Sequence, residues 1–139
     1  MSTVLDMAKQ LGKELQKDPV YLAFRDAAEK NDADMVLQDL IAQYQQKALD
    51  RSNAEDNSED AERVAALKRE EQAFYNEVMS NPSMIRYVGS RARFEQLLDS
   101  INRVIAMSAA GQDPDSYDPS AISAMGGCSG NCAGCAGCN

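Results

Sequence analysis

Apolar residues return at three- and four-residue intervals along most of the first 108 positions, the period of amphipathic helices. Val4, Met7, Ala8, Leu11 and Leu15 mark a first helix. Asp18 followed by Pro19 predicts a second start, because the Asp carboxylate accepts orphan amide protons and Pro at the first helical position forfeits no intrahelical bond. Val20, Phe24, Ala27 and Ala28 give this helix its inward face, and the polar pair Asn31 and Asp32 interrupts it, with Asp32 expected to cap the next. Leu37, Leu40, Ile41, Tyr44 and Ala48 carry a third helix. The segment DRSNAEDNSEDAE at 50–62 has no large apolar residue and reads as a turn into a fourth, with Ser52 and Glu55 or Asp56 and Glu59 as a capping box. Val64, Leu67, Phe74, Tyr75, Val78 and Met79 continue the stripe to Asn81 and Pro82, a second cap-plus-proline start. The fifth helix is the most apolar, with Ile85, Val88, Ala92, Leu97, Leu98, Ile101, Val104 and Ile105 as its main set, joined by Met84, Phe94 and Met107.

No segment alternates with period two in β-branched and aromatic residues, so the expected fold is all-α: an antiparallel bundle of about five helices with a flexible Gly/Cys-rich tail. All 14 Lys and Arg lie at or before Arg103, whereas six of the eight Gly and all four Cys lie at or beyond Gly111. This divides the chain into a helical domain, 1–108, and a tail, 109–139, whose removal from residue 111 onward is expected to leave helicity intact. The segments DPVYLAFRDAAEKND and NPSMIRYVGSRARFE share a cap, a proline and a nearby aromatic residue, which reads as common capping chemistry rather than a repeat.

Composition narrows the function. With no His or Trp, triads and imidazole ligation are excluded, and a net charge of −8 opposes binding to nucleic acid or an anionic membrane. No apolar run approaches the roughly 20 residues of a membrane span and the first residues lack a signal-peptide pattern, so a cytoplasmic location is expected. Met35, Met79, Met84 and Met107 fall at helical spacing and read as core fillers. Arg86, Arg91, Arg93 and Arg103 fit the polar face of the last helix, and the acidic pairs Glu59 with Asp60 and Glu70 with Glu71 read as solvated faces. The wide apolar set of the fifth helix exceeds what one neighbouring helix covers, and predicts self-association or binding to a related helical subunit.

The C-terminal GGCSGNCAGCAGCN carries the chemistry. Cys128, Cys132, Cys135 and Cys138 form a C-x3-C-x2-C-x2-C run separated by small residues that let the backbone turn tightly around one centre. Disulfides are disfavoured in a reducing compartment, and the four ligands are crowded for a zinc site, which usually joins two separated knuckles. Crowded thiolates better suit an iron–sulfur cluster, such as a 4Fe–4S cube, with zinc or copper as the alternative. A metal-handling protein and the precursor of a modified Cys-rich peptide are the competing functional classes.

A short acidic helical chain with DPVYLAF and NPSMIRYV opening two helices and a Cys-rich end resembles the YlbF/YmcA family of bacterial regulators over roughly residues 1–110. The resemblance implies a non-enzymatic protein that forms homo- or hetero-oligomers with related helical subunits. It further implies action with ribonuclease Y in RNA processing, with effects on competence, sporulation and biofilm formation. Iron–sulfur binding by such complexes is also implied, and would be carried here by the four terminal thiols.

Overall fold

A computed structural model describes residues 2–122. All regular structure among them is helical: α1 (Thr3–Leu15), α2 (Pro19–Ala33), α3 (Met35–Asp56), α4 (Ala61–Ser80), α5 (Pro82–Ala109), a 3₁₀ turn at Pro114–Ser116 and the four-residue α6 (Pro119–Ile122). Contacts divide the chain into two compact units, Met1–Glu95 and Gln96–Asn139.

Within the first unit both proline starts form as the sequence predicts. The Asp18 carboxylate accepts from the Val20 amide at 2.8 Å, and the Asn81 side-chain oxygen accepts from the Ser83 amide at 2.8 Å. The two segments sharing this chemistry also meet through their aromatic residues. Phe24 of α2 stacks on Phe94 of α5 with centroids 5.3 Å apart and planes 7° from parallel, while Tyr87 and Tyr21 pack obliquely at 5.8 and 5.7 Å.

Two boundaries differ from expectation. Asn31 and Asp32 do not break α2, which continues to Ala33; Asp34 rather than Asp32 caps α3, accepting from the Leu37 amide at 3.1 Å. Asn31 is tolerated inside the helix because it is buried and bonded: its side-chain amide reaches the Met84 sulfur at 3.8 Å, and its carbonyl accepts from Gln38 at 2.9 Å. Likewise the turn expected over 50–62 is confined to Asn57–Asp60, and α3 runs through Asp56. Asp60, and neither proposed capping box, opens α4, accepting from the Glu62 amide at 3.4 Å.

Helices α3 and α4 form an antiparallel hairpin. From Tyr44 beside Tyr75, through Lys47–Glu70 at 2.8 Å and Arg51–Glu71, to Glu55–Lys68 at 3.3 Å, the α3 numbers rise while those of α4 fall. Ala54 and Leu67 are buried in these two helices, with Leu37 and Val78 buried further along them and Ala27 on α2, and together the five make up the buried apolar core among the described residues.

Apolar spacing announced helices more reliably than burial. No residue of α1 is buried, and Val4 and Met7 are 75% and 68% exposed. Met35, expected in the core, is 77% exposed at the first position of α3. On α5, Ile85 is 58% exposed, and Val88 and Ile105 are exposed as well.

The second unit contains the end of α5, the 3₁₀ turn and α6. Gly111, at φ +81°, closes α5: its amide donates to Ser108 at 3.0 Å and the next amide, of Gln112, donates to Met107 at 3.0 Å. Half-buried Tyr117 then donates its hydroxyl to the Ser100 Oγ at 3.0 Å, which holds the chain after the turn against α5. The first part of the 109–139 segment therefore carries ordered structure of its own.

Candidate functional site

The sequence places its chemistry on Cys128, Cys132, Cys135 and Cys138, and these four residues lie outside the described residues. What the described helices offer is built from other side chains.

A cleft of about 430 Å³ along the α3–α4 hairpin is lined by Tyr44, Arg51, Lys68, Glu71, Gln72 and Tyr75. Glu71 was expected on a solvated face, yet its side chain is only 16% exposed and sits against Arg51, which also reaches Glu55 at 3.1 Å. Glu71, through its hydrogen bond and its charge, raises the Arg51 pKa, so this pair is firmly ionic. Lys47 and Lys68 are matched by Glu70 and Glu55 in the same strip. Every cation there has an acid beside it, and the arrangement joins two helices rather than presenting a net charge to a ligand. Glu59 pairs with Arg63 at 3.5 Å and Asp60 serves as a cap, so neither acidic pair forms an acid–base couple.

The arginines of α5 divide. Arg91 is paired with Glu95 at 2.9 Å and Arg103 with Asp99 at 2.6 Å, each one helical turn apart, while Arg86 and Arg93 have no ion pair among the described residues.

In the second unit a groove of about 470 Å³ opens beside the end of α5. Ala106, Met107 and Ala110 supply an apolar wall, and Gln112, Ser116, Tyr117, Asp118 and Arg103 complete it. The Asp118 carboxylate accepts from the Ser120 hydroxyl at 2.6 Å and from the Ser120 amide at 2.8 Å, and these bonds hold its pKa below the ordinary aspartate value. It remains charged at neutral pH at the rim of the groove. Sequence reading missed this groove because its lining comes from small α5 residues and from a segment that lacks apolar periodicity. The spacing of Gly111, Pro114 and Tyr117 was the available signal: a helix stop, a turn and an aromatic residue to fold back.

Among the described residues no group of Cys, Asp and Glu gathers in a metal-binding cluster, and no helix is long and apolar enough to cross a membrane. Among the described residues the accessible features include the cleft along the α3–α4 hairpin and the groove beside the end of α5, set on a scaffold that defines the class as an all-α protein. Residues 4–108 match the family described as control of competence regulator ComK, YlbF/YmcA, and the chain belongs to that family. Regulation connected with competence is what the family description supports. No curated protein and no solved structure matches the chain.

Proposed function

We propose that the protein is a regulatory adaptor without catalytic activity of its own, which assembles with related helical subunits and carries an iron–sulfur centre on its C-terminal cysteines. The observation that carries the reading is the apolar surface left on α1 and α5, including Val4, Met7, Ile85 and Ile105, in a chain whose family description is regulatory. Apolar side chains displayed at helical spacing serve association, since covering them releases ordered water and contributes roughly 25 cal/mol per Å² before the cost of association. In this reading the assembled subunits act with ribonuclease Y in RNA processing in the cytoplasm, by protein contacts rather than by direct nucleic-acid binding, consistent with the net charge of −8.

The donor set of Cys128, Cys132, Cys135 and Cys138 fits an iron–sulfur centre, because four thiolates are the usual ligands of such clusters and no His competes for the metal. Bound, the centre would supply a redox-sensitive switch.

Anaerobic purification of the full chain, alone and with related subunits, followed by iron, sulfide and zinc determination, tests the cofactor. Iron and sulfide in the protein or its complex are expected, with brown colour that disappears when Cys132 and Cys135 are both changed to Ser. Stoichiometric zinc or copper without sulfide in both preparations would select the metal-handling reading, and a cleaved, modified C-terminus in the native mass would select the peptide precursor.

A further inference from the structure

The apolar stripe of α1 is complementary to itself when the helix is turned end for end. We propose that α1 pairs antiparallel with α1 of a second copy of this chain, in a two-helix seam about a two-fold axis. This rests on the reading of the protein as an assembling subunit, and names one partner and the surface it meets.

Several features of α1 point to an external cover. A helix of 13 residues is marginal in water without tertiary support; α1 has no buried residue, and its N-cap, Ser2, makes no side-chain cap bond. Val4, Leu5, Met7 and Leu11 are all exposed. Val4, Ala8, Leu11 and Leu15 are spaced alternately by four and three residues, the period of a coiled-coil seam. Leu5, Met7, Gly12 and Glu14 flank that seam, while Asp6, Lys9, Gln10, Lys13, Gln16 and Lys17 fall on the opposite side of the helix.

The order of side chains along the seam selects the occupant. Reversed about the midpoint between residues 9 and 10, Val4 faces Leu15 and Ala8 faces Leu11 of the second copy, so every layer joins a smaller side chain to a larger one. Leu5 of one copy then lies over Gly12 of the other, where no atom stands within 4 Å of the place a Cβ would take. Glu14 is already bonded to Lys17 of its own helix at 2.8 Å, which leaves its methylene stem to lie beside Met7. A parallel pair would set Ala8 on Ala8 and leave a gap between leucine and valine layers. Charge favours the same direction. The first 17 residues hold Lys9, Lys13 and Lys17 against Asp6 and Glu14, a net of +1, whereas residues 18–139 carry −9. Antiparallel pairing attaches these acidic remainders at opposite ends of a seam about 20 Å long, and parallel pairing would attach both at the same end. An anionic membrane, the other surface an amphipathic helix could enter, is repelled by the −8 of the whole chain.

Because each copy presents the same face, one contact closes the pair and leaves no seam open. The interface is small. Each copy contributes the four seam residues and the four that flank them, fewer than the roughly 20–30 a side of a standard interface. The dimer is accordingly weak and concentration-dependent.

The test is sedimentation of the full chain from micromolar to millimolar concentration, with two variants whose helicity is checked by circular dichroism. Leu11→Glu places a carboxylate in the seam and Ala8→Lys an ammonium, and neither replaces a buried residue. Each variant alone is expected to raise the dissociation constant at least tenfold, since the new charge has no partner across the seam. An equimolar mixture is expected to recover association. In the mixed pair the introduced carboxylate faces the introduced ammonium across one layer, and the equivalent layer keeps Ala8 against Leu11. In a parallel pair positions 8 and 11 do not meet, so an absence of recovery on mixing overturns the inference. So does a strictly monomeric wild-type chain, or a dimer that neither variant disturbs. Binding of phosphatidylglycerol vesicles by α1 in place of dimerisation overturns it in favour of a membrane surface. A wild-type chain that is monomeric yet binds related helical subunits sinks this dimer while leaving the adaptor reading standing, and one that binds none of them sinks both.

Discussion

Leu37 has no exposed surface at all, and it is the largest fully buried side chain among the described residues. With the apolar core limited there to Leu37, Leu67, Val78 and two alanines, the site has few large neighbours to move into a vacated volume. Leu37→Ala is therefore expected to cost about 3 kcal/mol through lost transfer energy plus an unfilled cavity, measured by urea unfolding. A loss below about 1 kcal/mol would show that the surroundings collapse freely. Next to it, Asp34 does two jobs at once: its carboxylate accepts from the Leu37 amide and from the Ser83 hydroxyl of α5 at 2.8 Å. These bonds, the backbone one foremost, hold its pKa below the ordinary 3.8. Because the folded value is depressed, the contribution is fully present above 3.8 and is lost as pH falls through the folded value. Asp34→Asn keeps a capping oxygen but cannot titrate. The gap in melting temperature between wild type and Asp34→Asn should thus shrink as pH drops below 3.8, and a gap independent of pH would refute the assignment.

At the scale of the helices, local chemistry was legible wherever a single residue type suffices. Asp18–Pro19 and Asn81–Pro82 read as starts and are starts, since a carboxylate or amide oxygen beside a proline needs no tertiary partner. The α3–α4 turn was placed too early and too long because its stop signal is unusual. Ser58 occupies the left-handed position, φ 53°, where glycine is customary; its amide donates to Glu55 at 3.1 Å and that of Glu59 to Ala54 at 3.0 Å. Gly111 closes α5 with the same pair of bonds, and that end was marked by composition. A serine pays a steric cost in this conformation that glycine avoids. Ser58→Gly should stabilise the hairpin by up to about 1 kcal/mol, because the relief of strain exceeds the added freedom of the unfolded chain. A lowered melting temperature would show that the serine is held there by something other than backbone geometry. Burial was the less legible quantity: the α1 stripe and Met35 announce a helix correctly but not what covers it, because period depends on one segment and cover depends on partners.

For the molecule as a whole, the roles proposed for the helices and for the cysteines can be tested separately by where the chain is cut. The composition change near residue 109 suggests removing everything from 111, but that cut would also delete the Gln112 bond to Met107, the Tyr117 bond to Ser100 and half of the residues lining the α5 groove. A cut after Ile122 spares all of them, since every described helix ends by that residue, and takes away Cys128, Cys132, Cys135 and Cys138 together. The 17 residues removed, numbers 123–139, contain one large apolar side chain, Met125, and no charge, so little burial or ion pairing is lost with them. The 1–122 chain is expected to keep its helical signal and its self-association while losing all iron and sulfide. The Cys132→Ser, Cys135→Ser double variant should behave in the same way at full length. Circular dichroism, sedimentation and anaerobic iron analysis on the same three preparations make the comparison. Retained iron in the 1–122 chain would place the metal on ligands other than the cysteines, and a large loss of helix on cutting at 122 would make the C-terminal segment part of the fold rather than an appendage to it.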